Sequence, residues 1–381
     1  MTPKLKRILK MTLIAILAAI IVIAVLLYIY FNSAPQIGGT AEGKRLERMQ
    51  SSPQYQAGEF RNANQNKQAL AIGKMFGAMW AFLTEGENKE PETTIRTYPF
   101  NAADIDTIPD DELAITWFGH STLLIRIEGK TFLTDPLLTS ERASMFSFMG
   151  PKRFPYDHYT SVDELPKIDA VIMSHDHYDH LDYETILDLK DKISHFYMPI
   201  GVGAHFEAWG VKPEQITELD WWETIKHDSI ELVFTPTQHF SGRAFSDRNA
   251  TLWGSWVIKG QKKRVYFSGD SGYFPGFKEI GDKYGPFDIT LLECGAYNKR
   301  WADIHMFPEE TVQANVDLSG KLMLPIHWGK YSLSTHSWYD SPERMIKKAK
   351  ELNVDFTTPE VGQTIRLSQA VPKTKWWERF K

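Results

Sequence analysis

Apolar and polar positions change period along this chain, and each period predicts a different element. Residues 11–31, MTLIAILAAIIVIAVLLYIYF, hold no charge, and a run of that length crosses a bilayer as a helix. Tyr28 and Tyr30 stand near its end, where aromatic belts form. Lys4, Lys6, Arg7 and Lys10 precede the run, and no Lys or Arg follows before Lys44. That asymmetry predicts a cytoplasmic N-terminus with the body on the far side. A cleaved signal peptide has a shorter apolar region as a rule, so the expectation is an uncleaved anchor. Gly, Ser, Gln and Asn are frequent from there to Asn66, as in a linker with some local structure. Apolar residues at 72, 75, 76, 79, 80 and 83 then follow helical spacing over 68–84. Such a helix covers the core or faces lipid.

Short apolar runs replace helical spacing after Leu113. They predict strands at 113–118, 122–127, 131–134, 169–173, 197–200, 230–235, 253–258, 264–268, 287–292, 321–326 and 362–367. Helical patterns fill 182–191, 203–209, 308–318 and 341–351. Two sheets with helices outside, an α/β sandwich of αββα layering, is the simplest packing of that order. The expected organisation is a stub and anchor over 1–32, a linker and helix over 33–110, a body over 111–368 and a tail over 369–381. The end of that tail, KTKWWERFK, mixes aromatics with cations. It suits a membrane interface or tryptophans packed on the body.

Composition narrows the function classes. Of 381 residues, 43% are hydrophobic, enough for a full core and too many for a disordered chain. A net charge of -5 gives no basic field for nucleic acid. Cys294 is the sole cysteine, which excludes an intrachain disulfide and a cysteine-built zinc site. Any metal must be held by His, Asp or Glu. The oligomeric state stays open.

The densest chemistry is Ser174-His175-Asp176-His177-Tyr178-Asp179-His180-Leu181-Asp182. It follows a buried-strand pattern at 169–173. Neutral imidazole and carboxylate suit zinc and similar divalent ions. In an extended segment His175 and His177 point to one side. A turn into a helix would carry Asp179 and His180 to a second position, which suggests two metals. His239, Asp270, Glu293 and His327 each end a predicted strand, where a rigid scaffold meets a cleft.

These residues carry a resemblance. The run 175–180, followed by His239, Asp270 and His327, resembles the metallo-β-lactamase superfamily. Trp117-Phe118-Gly119-His120-Ser121-Thr122, Leu133-Thr134-Asp135-Pro136 and Met149-Gly150-Pro151-Lys152-Arg153-Phe154 are similar to one branch. So are Trp253-Gly254-Ser255-Trp256, Gly295-Ala296-Tyr297, Arg300-Trp301 and Ile326-His327-Trp328-Gly329. That branch is the zinc phospholipase D that hydrolyses N-acylphosphatidylethanolamine, with its bacterial relatives, and the likeness spans about 110–365.

The resemblance implies two zinc ions per chain. His175, His177 and His239 would bind one, Asp179, His180 and His327 the other, and Asp270 would bridge them. Iron or manganese would suit the same donors. Asp270, Asp179 and His305 are the implied catalytic residues, although 301–305 is shorter here than in the animal enzyme. Asp135, Asp176 and Glu293 are candidates to accept the remaining N–H of donor imidazoles, and His120 is a candidate beside them. Tyr297, Lys152 and Arg153 are the candidate substrate contacts, the two cations for a phosphate. The implied activity is hydrolysis of a membrane-lipid phosphodiester at the extracytoplasmic face of a bacterial inner membrane. The same metal set can open a lactone or cleave a small phosphodiester, and a non-catalytic envelope protein is the alternative from another class.

Overall fold

The computed structural model describes residues 2–63, 77, 80–82, 84–244 and 246–381. Most of the helix expected over 68–84 lies outside these described residues. The first helix, α1 (Pro3–Ser33), starts with proline in its first turn, where the missing N–H breaks no bond. Its stretch Pro3–Tyr30 is long and apolar enough to cross a membrane, and none of its apolar window is buried against the chain. The segment read as a linker is docked instead. Helix α2 (Gly43–Ser51) and the hairpin of β1 (Tyr55–Gln56) and β2 (Glu59–Phe60) follow. Met49 and Phe60 enter the main core.

The body is built on two mixed sheets. Strands β3 (Leu113–Trp117), β4 (Leu123–Ile127), β5 (Lys130–Thr134), β6 (Ala170–Ile172), β7 (Phe196–Pro199) and β8 (Ile216–Leu219) join β15 (Thr364–Arg366). Their order in the seven-stranded sheet is β15-β3-β4-β5-β6-β7-β8. Strands β9 (Thr224–His227), β10 (Ile230–Thr235), β11 (Ser255–Lys259), β12 (Arg264–Phe267), β13 (Ile289–Glu293) and β14 (Met323–Ile326) form the second sheet. It is six-stranded, in the order β14-β13-β12-β11-β10-β9. The predicted strands are present. Two strands of these sheets, β8 and β9, were not expected; each has only four residues and no apolar run, the signal that marked the other strands.

Apolar inner faces of both sheets meet in one core, with Trp117, Phe132, Phe234, Trp256 and Phe267 fully buried. Helices Tyr183–Leu189 and Gly203–Ala208 cover the outer face of the first sheet through Ile186, Leu189 and Phe206. Helices Gly276–Tyr284, Pro308–Asp317 and Asp340–Glu351 accompany the second. The result is the expected αββα layering. The tail settles on the body: Trp376, Trp377 and Phe380 are buried, and Trp376 stacks on Trp328 with ring centroids 5.4 Å apart.

Strand direction gathers the chemistry at one edge. Strand β11 is antiparallel to both β10 and β12, and β12, β13 and β14 run parallel. The carboxyl ends of β10, β12, β13 and β14 therefore share an edge. Strands β5 and β6 are parallel in the other sheet. Trp256 Nε1 donates to the Met173 carbonyl at 2.8 Å, and Gly254 N to the Ser174 carbonyl at 3.0 Å. These bonds clamp the two sheets where β6 ends.

Candidate metal centre

After β6 the chain stays extended through His175 and His177, then turns. The His177 carbonyl accepts from the amides of His180 at 3.0 Å and Leu181 at 2.8 Å. Asp182 caps the next helix by accepting from the Thr185 amide at 3.2 Å. This strand–turn–helix path brings Asp179 and His180 round beside the first two imidazoles. Gly269 permits a close approach to that loop: its φ is +54°, and a Cβ there would meet the Ser174 side chain at 2.5 Å. Asp270 follows it into the edge.

Two sets of donor atoms converge. His175 Nε2 lies 2.8 Å from His177 Nδ1, which lies 3.2 Å from His239 Nε2. Tetrahedral ligands at zinc–nitrogen lengths stand roughly 3.3 Å apart, so the trio has the span of one ion. The second set is Asp179 Oδ2, His180 Nε2 and His327 Nε2, with the carboxylate 3.5 and 3.3 Å from the two nitrogens. Asp270 Oδ2 reaches both sets. It is 3.1 Å from His180 Nε2 and 3.0 Å from His327 Nε2, and 3.9 and 3.7 Å from the Nε2 atoms of His175 and His239. His180 Nε2, His327 Nε2 and Asp270 Oδ1 are buried without a hydrogen-bond partner. Orphaned buried donor atoms in this arrangement fit a metal-binding role. Other groupings within 4.8 Å overlap these, including Asp270, Glu293, His305 and His327.

An outer ring fixes the imidazoles. Asp135 accepts from Ser174 Oγ and the Ser174 amide at 2.5 and 2.7 Å and from His180 Nδ1 at 2.7 Å. His175 Nδ1 is 2.9 Å from the same Ser174 Oγ. His239 Nδ1 donates to the Ile304 carbonyl at 3.0 Å. Each of these bonds leaves Nε2 for the cluster. His120, at φ +54°, is buried with Nε2 3.0 Å from Asp179 Oδ2 and its ring 4.1 Å from that of His327. Glu293, also buried, accepts from the Met306 amide at 2.6 Å and lies 3.4 Å from His305 Nδ1.

Burial and neighbouring charge set the protonation. Burial, with adjacent imidazoles, holds His175 well below the usual range, and burial lowers His177 to about 4. Burial would also lower His327, but Asp270 and Asp179 outweigh it and raise the group to about 10. Burial alone would raise the Asp270 carboxyl; His180 and His327 hold it well below its usual range. His120 is lowered to about 3 by burial and by His327.

Not every expected residue joins the cluster. Asp176 accepts from Thr251 Oγ1 at 2.7 Å and the Gly242 amide at 2.8 Å, with His205 Nε2 at 3.4 Å, so it ties the loop to its neighbours and not to a donor imidazole. Lys152 Nζ pairs with Glu141 at 2.7 Å on the surface. Arg153 donates to the Leu138 carbonyl at 3.1 Å and lies over the Tyr159 ring. Tyr297 donates to Asp340, and its ring stacks on His336 at 4.0 Å. Two groups escaped sequence reasoning, because a cation reads as surface: Arg243 and Lys330, both buried.

Known proteins share this architecture. A family profile described as "Beta-lactamase superfamily domain" matches residues 130–328. A protein of Mycobacterium tuberculosis is 39% identical over 86% of this chain and 88% of its own length. The N-acyl-phosphatidylethanolamine-hydrolyzing phospholipase D 1 of Caenorhabditis elegans is 34% identical over 73% of this chain and 82% of its own. Among solved structures, Igni18, a metallo hydrolase from Ignicoccus hospitalis, superposes with a TM-score of 0.52 at 20% identity. That likeness covers 67% of this chain and 98% of Igni18.

Proposed function

This chain belongs to the metallo-β-lactamase superfamily, in the branch with N-acylphosphatidylethanolamine-hydrolysing phospholipase D homologues, and we propose that it is a membrane-anchored dinuclear zinc hydrolase of a phospholipid phosphodiester. The observation that carries this reading is one carboxylate oxygen, Asp270 Oδ2, shared by two donor trios. Two bound ions would supply a water-derived nucleophile at neutral pH and Lewis-acid stabilisation of a phosphoryl oxygen.

The chain's own residues prepare that chemistry. Asp135, through Ser174 and directly, orients His175 and His180. The Ile304 carbonyl orients His239. His120 places an N–H donor against Asp179 Oδ2, the oxygen that faces His180 and His327. His305 lies with its ring 5.2 Å from both His239 and His327, and Glu293 sits behind its Nδ1. That leaves His305 as the group to hand a proton to the departing alcohol. The substrate assignment, a phosphatidylethanolamine or its N-acylated form cut on the head-group side, rests on the similarity to the nematode protein and on α1. By the charges flanking α1, the body stands on the extracytoplasmic face of a bacterial inner membrane.

The test uses the full chain in nanodiscs containing plain or N-acylated phosphatidylethanolamine. Two zinc per chain and release of phosphatidic acid, lost in Asp270→Asn, are expected. Two zinc with both lipids untouched would overturn the substrate and leave the hydrolase centre standing.

A further inference from the structure

One apolar surface lies outside the cluster and its supports. Residues 143–150, Ala-Ser-Met-Phe-Ser-Phe-Met-Gly, hold no charge, and they form an irregular loop. Phe148 and Met149 are 72% and 53% exposed, which is unusual for large apolar side chains adjacent in sequence on a water-facing surface. Their position relative to α1 is fixed. Tyr30 donates its hydroxyl to the Met145 carbonyl at 2.9 Å. The Tyr30 ring stacks on Phe146, with centroids 5.2 Å apart and planes at 16°. Phe146 in turn meets Phe148 at 5.4 Å.

Tyr30 ends the apolar run of α1, so on the reading that α1 spans a bilayer it marks the level of the interface. Aromatic rings held at that level are where aromatic belts form. The loop is closed at its base, where Arg142 Nη1 donates to the Gly150 carbonyl at 2.6 Å. We infer that loop 144–149 is a second membrane contact, inserting Phe148 and Met149 into the leaflet from which α1 emerges.

The contact bears on the centre. A cavity of about 250 Å³ is lined by Ser144, Met145 and Phe146 on the loop side and by Tyr178 and Arg243 on the other. Tyr178 belongs to the run 175–182. On this inference the loop holds that run within one cavity of the lipid surface. The partner is a fluid lipid surface, because the continuity with α1 leaves the loop beside the bilayer that α1 occupies.

Cys294 is buried with its thiol raised by burial, so one added surface cysteine takes a label selectively. The full chain is reconstituted in liposomes with an environment-sensitive fluorophore on Phe148→Cys or, separately, Met149→Cys. The control is Lys262→Cys, in the exposed turn after β11, a strand that runs from Ser255 beside the site edge to Lys259 at the opposite end. Brominated lipid should quench the probes at 148 and 149 several-fold more than the probe at 262. Equal, weak quenching at all positions in liposome-bound protein would overturn the loop contact and keep the anchor. A probe at 148 that is shielded yet unquenched would place a second copy there and overturn the inference. A chain that fails to float with liposomes would overturn the anchor itself.

Discussion

Two buried cations flank the centre, and they meet the cost of burial differently. Arg243 sits behind the loop 175–181. Its Nη1 donates to the carbonyls of Asp176 and Leu181 at 2.6 and 2.8 Å, and its Nε and Nη2 donate to the Gln36 carbonyl at 2.9 and 2.6 Å. The guanidinium lies over the Tyr178 ring at 4.1 Å. Lys330, past His327, has one bond: Nζ to the Leu137 carbonyl at 2.5 Å. Burial and Arg153 lower it to about 7. A guanidinium fork gathers several acceptors at once and keeps its charge. An ammonium with one acceptor loses its proton more readily when buried. The loop carrying most donors is thus backed by a permanent charge, and the turn after His327 by one that titrates. Arg243 also bonds the turn after α1 to both ends of that loop.

The contrast should vanish where both donor sets share an atom. Asp270→Asn is expected to lower hydrolysis on the order of 10³-fold or more and to leave fewer than two metal ions per chain. Activity and elemental analysis of the same preparation check it; full metal occupancy in the variant would break the shared-carboxylate reading. Next in size is the comparison itself. Arg243→Met strands carbonyls at three places and should cost about 3 kcal/mol in urea unfolding. Lys330→Met at pH 8 strands one and removes a group that is mostly neutral, so its cost should be under about 1 kcal/mol. Equal losses would mean that the two cations do the same job. Arg243→Lys should fall between them, since an ammonium cannot span the three carbonyls.

The residues that cluster are more legible in the sequence than those that support them. His175, His177, Asp179 and His180 stand out because four metal-type residues crowd one turn. His239, Asp270 and His327 stand out because each ends an apolar run. Strand β6 and its parallel neighbour β5 were legible as short apolar runs for the same reason. What stayed hidden depends on pairing in space. Arg243 is polar in sequence and buried by carbonyls from positions 36, 176 and 181. Met49 and Phe60 sit in a polar stretch that reads as a linker, yet both enter the core. Trp376 and Trp377 fit a membrane interface by composition, and only the aromatic rings of Trp117, Trp328 and Trp338 decide for the body. Lys152 and Arg153 read as phosphate contacts, but nearer acceptors hold them.

His120 tests the second donor set alone. Its N–H donor meets Asp179, which belongs to the second set. His120→Phe keeps the ring's bulk and removes the donor. Loss of such a support weakens metal affinity about 10–100-fold. Chelator competition should show one weakened ion and one unchanged. Two ions weakened alike would mean that His120 acts on the whole fold.

The pH dependence is the most diagnostic of the titrating cation. Lys330 is lowered from 10.5 to about 7 in the folded chain, while the unfolded chain keeps an ordinary lysine. Between those values the unfolded state binds more protons than the folded one, so stability rises with pH. The rise is at most about 1.4 kcal/mol per pH unit for one group, and it levels off below pH 7, where both states are protonated. Other groups titrate in the same window, so the measured quantity is the difference between the native chain and Lys330→Met. That difference should grow in favour of the native chain from pH 7 to pH 10, read as urea midpoints at fixed salt. A flat difference would mean that Lys330 keeps its proton throughout, and that a single carbonyl suffices to hold a buried ammonium charged.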